Sequence, residues 1–377
     1  MKDFDKMIYA DNAATTQLDI EAFEAMKPFL LSDFANASQP YSFARSAKQA
    51  IKKARETIAE CINADPDEIF FTSGGTESDN WAIKGFCKTY RTGDILTTSI
   101  EHHAILNSCF SVEQLGRKVV YVDPQADGSI DVEQFKRLLT NEVKFVSVMY
   151  ANNEIGTVQP IQELCEISHK QGVVFHTDAV QVVGHLKVDV KELGVDMLSA
   201  SAHKFNGPKG IGFLYVRKGV QIMPYMDGGA QEKKHRAGTE NVAAIVAMAV
   251  ALQNNCLQLE KNIKHLDNLS RLLIERLVSF GCNFQKNGGE RTLPGLLSLS
   301  FYEKDGEAIL HRMDFAHICV STGAACNSVD TEISHVLKAI GLDEDYAKGT
   351  IRISLGKNNT EEDVKYIAST LAKIVSI

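Results

Sequence analysis

Between residues 68 and 217 short apolar segments alternate with amphipathic ones, and few folds accommodate that rhythm. "EIFFT" (68–72) precedes a helical pattern near 76–90, and "DILTTS" (94–99) precedes one near 103–116. "KVVYVD" (118–123) is followed by 131–140, and "KFVSVMY" (144–150) by 160–171. Then come "VVFHTD" (173–178), "DMLSAS" (196–201) and "GFLYVR" (212–217). The strand segments are rich in β-branched residues and almost continuously apolar, as in a sheet covered on both faces. The alternation predicts βαβ units, and so an α/β fold with a mostly parallel sheet. After Gly238 the texture changes. A helical pattern spans about 241–280, with a break expected at Asn254 and Asn255. A shorter mixed region follows: "LLSLSF" (296–301), a helix near 305–314, "ICVST" (318–322), a helix near 332–340, "IRISLG" (351–356) and a last helix from Glu361. It reads as a second, smaller α/β domain, and no Pro/Gly/Ser-rich linker separates it from the first.

The length of 377 residues allows one large and one smaller domain, and a net charge of -8 gives no basic excess for direct nucleic-acid binding. The opening "MKDFDKMIYADNAATT" lacks an apolar signal core, and the longest apolar run, Val242 to Leu252, is too short to cross a membrane. The eight cysteines contain no C-x-x-C pair and no zinc-like spacing. They predict reduced thiols, a cytoplasmic protein and no metal site.

In an open α/β sheet, ligands bind at the carboxyl ends of the strands. Five such ends carry polar residues: Ser73 to Glu77, Glu101 to His103, Asn152 to Glu154, Asp178 to Gln181, and Ser201 to Lys204. Together they predict one site. Gly75 and Thr76 suit an anion held by free backbone amides at a helix start; the alternative is a helix cap built on Thr76 and Asp79. No P-loop is present, which disfavours a nucleoside triphosphate. Asp178 ends one strand, and Lys204 follows the next. A carboxylate that keeps a pyridine nitrogen protonated, beside a lysine that can bond a carbonyl, is the pair pyridoxal phosphate requires. Taken singly, Asp178 could be a cap and Lys204 a solvated lysine. His102 could stack on a cofactor ring and move protons, or be an ordinary loop histidine. Asn153 and Gln181 suit hydrogen bonds to ring and substrate oxygens, or turns. Cys326, in "STGAACNS", sits among small and polar residues that imply an exposed loop, where a reactive thiolate would be placed; the alternative is an ordinary free thiol. Arg352 suits a substrate carboxylate or an internal ion pair.

These residues lie in a motif series that resembles the PLP-dependent cysteine desulfurases, in the class-V aminotransferase family: "YADNAATT" (9–16), "FTSGGTESDNWAIKG" (71–85), "EHHA" (101–104), "MYANNEIG" (149–156), "HTDAVQVVG" (176–184), "SAHKFNGPKGIGFLYV" (201–216), "GGAQEKKHRAGTEN" (228–241), "STGAACNS" (321–328), "SHVLKAIG" and "IRISLG". The match runs from about residue 8 to 360. The resemblance implies fold type I, like aspartate aminotransferase, with a large PLP-binding domain over 15–255 and a small domain from 1–14 and 256–377. It implies a homodimer with sites at the subunit interface. Lys204 resembles the lysine that bonds the cofactor, Asp178 the partner of the pyridine nitrogen, and His102 the stacking histidine. Gly75, Thr76, Ser201 and His203 resemble the phosphate cradle, and Thr239 a phosphate ligand donated by the other subunit. Gln181 resembles the contact to the ring hydroxyl, Asn153 and Arg352 the substrate-binding pair, and Cys326 the sulfur-accepting nucleophile. The implied reaction converts L-cysteine to L-alanine and leaves a persulfide on Cys326. The implied partner is a sulfur acceptor, such as an iron–sulfur scaffold or a thiolation protein.

Three departures stand out. "ANASQPYSFAR" (35–45) has Tyr41 where the family usually has His, Ala230 stands where Gly is common, and Ala324 where Ser is common. The length from Cys326 to "SHVL" matches the group with a long cysteine loop. Two other readings compete: a relative acting on another amino acid, such as a selenocysteine lyase or another class-V aminotransferase, and a non-catalytic scaffold. The scaffold would be expected to lack Lys204 or Asp178, and both are present.

Overall fold

The computed structural model describes residues 7–322 and 333–376. The chain opens with β1 (Ile8–Tyr9), α1 (Ile20–Leu31) and α2 (Arg45–Cys61). Asp19 caps α1 by accepting from the Glu21 and Ala22 N–H groups. Helix α2 buries Ala47, Ile51, Ala54 and Ile58, the three-to-four spacing of an amphipathic helix.

The predicted alternation then follows in order: β2 (Ile69–Thr72), α3 (Gly75–Thr89), β3 (Asp94–Thr98), α4 (His103–Glu113), β4 (Val119–Val122), α5 (Val132–Leu138), β5 (Val143–Ser147), α6 (Ile161–Lys170), β6 (Val174–Asp178), α7 (Val190–Leu193), β7 (Met197–Ser201) and β8 (Gly212–Val216). These strands form one seven-stranded sheet in the order β2-β8-β7-β6-β5-β3-β4. From β7 to β4 all neighbours are parallel, while β8 runs antiparallel to both β7 and β2. The connection from β7 to β8 is a short turn without a crossover helix, so β8 has to return antiparallel. The strand order also places the carboxyl ends of β3, β5, β6 and β7 side by side.

Next come α8 (Val242–Leu257) and α9 (Leu259–Ser279), bent by 70° to one another. The break lies at Gln258 rather than at Asn254 and Asn255. Asn255 is buried, and its amide donates to the carbonyls of Ala251 (2.9 Å) and Phe205 (2.8 Å). The side chain is thereby spent within the helix and across to the β7–β8 turn, and the helix continues through it. Among the described residues no single helix is long and apolar enough to cross a membrane.

The remainder holds β9 (Gln285–Asn287), β10 (Leu296–Ser300), α10 (Gly306–Phe315), β11 (Ile318–Cys319), α11 (His335–Ala339), α12 (Glu344–Ala347), β12 (Thr350–Ser354) and α13 (Glu361–Val375). A three-stranded antiparallel sheet orders β12-β10-β9, and β1 pairs in parallel with β11. A separate hydrophobic cluster joins Leu266, Leu269, Leu273 and Leu277 of α9 to Leu299, Ile351, Ile353, Val364, Ile367 and Leu371. Ile8 and Ala10 belong to that cluster, so the N-terminal segment reaches the last third of the chain.

Candidate functional site

The carboxyl ends of the central strands open into a cavity of about 740 Å³. It gathers Gly75, Thr76, His102, Asn153, Asp178, Gln181, Ser201, His203, Lys204 and Arg352. Thr239 is exposed and does not line this cavity. Cys326 lies outside the described residues.

Strand β7 ends at Ser201, and a single 3-10 turn, Ala202–Lys204, carries Lys204 into the cavity. Its ammonium donates to the carbonyls of Ala13 (2.6 Å) and Ala14 (2.8 Å). Gln181 Nε2–H donates to the same Ala13 carbonyl at 3.0 Å. His203 Nδ1 lies 3.1 Å from Thr15 Oγ1, and burial followed by the Lys204 charge lowers the imidazole to about 4. Lys204 is therefore placed by its surroundings and is not a solvated lysine.

Asp178 closes β6 and is 6% exposed. Its Oδ1 accepts from Val180 N–H at 2.9 Å. Burial lifts the carboxyl to about 6, even though that hydrogen bond and the Lys204 charge pull it down. A cation against this carboxylate would restore its charge. Two residues earlier, buried His176 is fixed between Ser147 Oγ and Ser199 Oγ, each at 2.9 Å, and desolvation drives it down to about 3. The ring is neutral and structural. Asp79 is buried close by, and desolvation together with the Asp178 charge holds its carboxyl well above the usual range.

His102 is the N-cap of α4, and its Nδ1 accepts from Ala104 N–H at 3.1 Å. In the neutral ring that bond leaves the proton on Nε2. Burial, then the charges of Lys204 and His103, lower His102 to about 4. A base that is neutral at physiological pH can accept a proton.

Helix α3 begins at Gly75 with Gly74 as its N-cap, and no side chain caps it. The cap expected from Thr76 is therefore not formed. Glu77 instead accepts from Ser73 N–H at 2.8 Å and pairs with Arg236 at 2.8 Å. The first residues of α3 line the cavity, and Gly74 lies beside the Ser201 side chain. A Cβ on Gly75 would lie 2.6 Å from Val180 Cγ2, so only glycine keeps this wall in place. Uncapped amides, a buried hydroxyl and a histidine together have the chemistry to hold an anion.

Arg352 realises the ion pair with Asp11, Nη2 to Oδ1 at 2.8 Å, and donates from Nη1 to the Asn153 carbonyl at 2.9 Å. Its buried Nε–H has no acceptor among the described residues. Of the two sequence alternatives the structure forms the internal ion pair, and Arg352 also lines the cavity with N–H donors to spare.

Sequence reasoning assigned no role to Glu101, Glu154, His335 or the segment 11–16. Glu101 is fully buried, accepts from Thr98 Oγ1 and Met149 N–H, and is pushed up to about 8 by desolvation. Glu154 accepts from Ser334 Oγ at 2.5 Å, and burial lifts it to about 7. His335 Nε2 lies 3.0 Å from the Glu101 carbonyl, and its ring centroid is 4.8 Å from that of His103. Glu101 and Glu154 lie in the polar segments after β3 and β5, which drew attention to the site without giving either residue a role. The carbonyls of Ala13 and Ala14 leave no signature in a sequence.

Comparison with known proteins agrees with this geometry. Residues 8–367 match the family model of class-V aminotransferases. The cysteine desulfurase IscS of Dictyoglomus turgidum is 46% identical over 371 residues, covering 98% of this chain and 94% of that protein. The cysteine desulfurase IscS of Methanosarcina thermophila is 42% identical over 372 residues, covering 98% and 92%. Among solved structures, a NifS-like protein superposes with a TM-score of 0.93 at 38% identity, covering 98% of this chain and 100% of that one. SspA in complex with cysteine superposes with a TM-score of 0.83 at 35% identity, covering 94% and 100%. The chain therefore belongs to the class-V aminotransferase family and, within it, to the PLP-dependent cysteine desulfurases.

Proposed function

We propose that this protein removes sulfur from L-cysteine, releases L-alanine, and carries the sulfur as a persulfide on Cys326. The observation that carries the reading is the placement of Lys204 and Asp178 on adjacent strand ends of one cavity, beside an uncapped helix start. That arrangement fits pyridoxal phosphate: Gly75, Thr76, Ser201 and His203 would hold its phosphate, Asp178 its ring nitrogen, Gln181 its ring hydroxyl and Lys204 its carbonyl carbon. When bound, the cofactor supplies an electron sink for the pair left on the substrate Cα.

The chain's own groups do the rest. Asp178, buried and within reach of the Lys204 charge, would keep the ring nitrogen protonated. His102, neutral and held by Ala104 N–H, would face the ring and move protons through Nε2. Arg352 and Asn153 orient the substrate carboxylate. The Cys326 thiolate attacks the substrate sulfur, the C–S bond breaks, and its electron pair leaves with the carbon skeleton. The persulfide then passes to an acceptor, such as an iron–sulfur scaffold or a thiolation protein.

We propose a homodimer as the working unit. Thr239, exposed and away from this cavity, suits a ligand offered to the other subunit's phosphate. The apolar cluster that joins Ile8 and Ala10 to residues between 266 and 371 supports the division into 15–255 and the pair 1–14 with 256–377. The reduced-thiol composition supports a cytoplasmic location. The bound cysteine of the similar SspA structure supports the substrate. The test is release of alanine and sulfide from L-cysteine by the holoenzyme with a reductant. Cys326→Ser should abolish sulfide release while the protein keeps its cofactor; full sulfide turnover in that variant would sink the mechanism.

A further inference from the structure

The segment 11–16 runs from one polar end of the cavity to the other. Asp11 bridges to Ser354, at the end of β12, and Asn12 N–H donates to the Ser354 carbonyl at 3.0 Å. Ala13 N–H donates to Ser354 Oγ at 2.9 Å. The next two carbonyls hold Lys204. Thr15 then meets His203 Nδ1, and the Thr16 hydroxyl donates to the His203 carbonyl at 2.8 Å. One strap thus fixes both the arginine expected to bind a carboxylate and the lysine expected to bond the cofactor.

Asp11 is the charged member of this strap. Its side chain touches Arg352 and, among the described residues, hydrogen-bonds to nothing else. The Arg352 side chain is only 5% exposed, so without Asp11 it would lose its direct ion-pair partner. A guanidinium held by one N–H of each terminal nitrogen is fixed in its plane, and its other N–H groups remain as donors.

We propose that Asp11 is a positioning residue for recognition of the substrate's α-carboxylate: with the Asn153 carbonyl on Nη1, its hold on Nη2 fixes the guanidinium at the cavity wall, so that its free N–H groups can meet that carboxylate. This rests on the reading of Arg352 as the carboxylate ligand. The opposite role is physically distinct. If Asp11 merely occupied Arg352, it would compete with the substrate, and its removal would tighten carboxylate binding.

The test uses holoenzyme and two probes, L-alanine and ethylamine, which is L-alanine without its carboxylate. Each is titrated by the change in visible absorbance of the bound cofactor. Asp11→Asn should weaken L-alanine about tenfold, the scale of one charge-assisted hydrogen bond, and leave ethylamine within about twofold. Asp11→Glu, which retains the charge, should recover part of the loss and serves if the Asn variant folds poorly. Unchanged or tighter L-alanine binding in Asp11→Asn, or equal weakening of both probes, overturns the proposal. Arg352→Gln separates the two readings. If that variant binds L-alanine normally, the role of Arg352 falls; if it weakens L-alanine while Asp11→Asn does not, only the role of Asp11 falls.

Discussion

Replacing Gly75 with Ala adds one methyl group at the start of α3. Built on the backbone, that Cβ lies 2.6 Å from Val180 Cγ2 and 3.6 Å from Ser201 Cβ. Ordinary carbon–carbon contact is about 3.5–4.0 Å, so roughly an ångström has to be found. Val180 is β-branched and stiff at χ1, and it cannot simply swing away. Its backbone N–H also holds Asp178 Oδ1 at 2.9 Å, so a displaced Val180 moves the carboxylate as well. Overpacking of this kind costs about 1–3 kcal/mol. The better helix propensity of Ala returns at most about 1 kcal/mol, and less at the first helical position. The net loss in apoprotein stability is then about 1–2 kcal/mol, readable by urea denaturation. Cofactor affinity should fall further, by about tenfold or more, because cradle and carboxylate both shift. Gly75→Ala combined with Val180→Ala removes the clashing methyl and should recover most of the affinity. A single variant with unchanged urea midpoint and full cofactor affinity would refute the reasoning.

Two other perturbations test the surroundings of the site. Glu101 titrates near 8 in the folded chain against an ordinary 4.5, so folding takes up a proton between those values and stability falls as pH rises from about 5 to 8. Urea midpoints of wild type and Glu101→Gln should therefore diverge in favour of the variant across that window, and a pH-independent difference would contradict this. Arg55 makes two hydrogen bonds to the carboxylate of Glu232, at 2.7 and 2.8 Å, and lies 4.3 Å above the Phe71 ring. Arg55→Ala strands a buried carboxylate and should cost about 3–5 kcal/mol in chemical denaturation; a loss below about 1 kcal/mol would show that Glu232 finds another partner.

The seven-stranded sheet was legible because its strands are short, β-branched and apolar on both faces, with helices between them. Its ligand-binding edge was legible because polar residues follow those strands directly. The direction of β8 was not, since an apolar strand carries no mark of polarity. Strand β9 escaped because "QKN" is short and polar, and it lies at the sheet edge. The helix break was misplaced because Asn255 looks like a stop signal, whereas its buried amide bonds the β7–β8 turn. In the site, side chains with chemistry could be found one by one. The backbone carbonyls that hold Lys204 could not, and neither could the pairing of Asp11 with Arg352 across nearly the whole chain.

The central claim is that Lys204, delivered by the turn after β7, is the residue that bonds the cofactor. Borohydride reduction of the holoprotein followed by peptide mass mapping tests it directly. The account predicts a single reduced pyridoxyl adduct on Lys204, absent from Lys204→Ala. An adduct on another lysine, or cofactor retained covalently by the alanine variant, would contradict it.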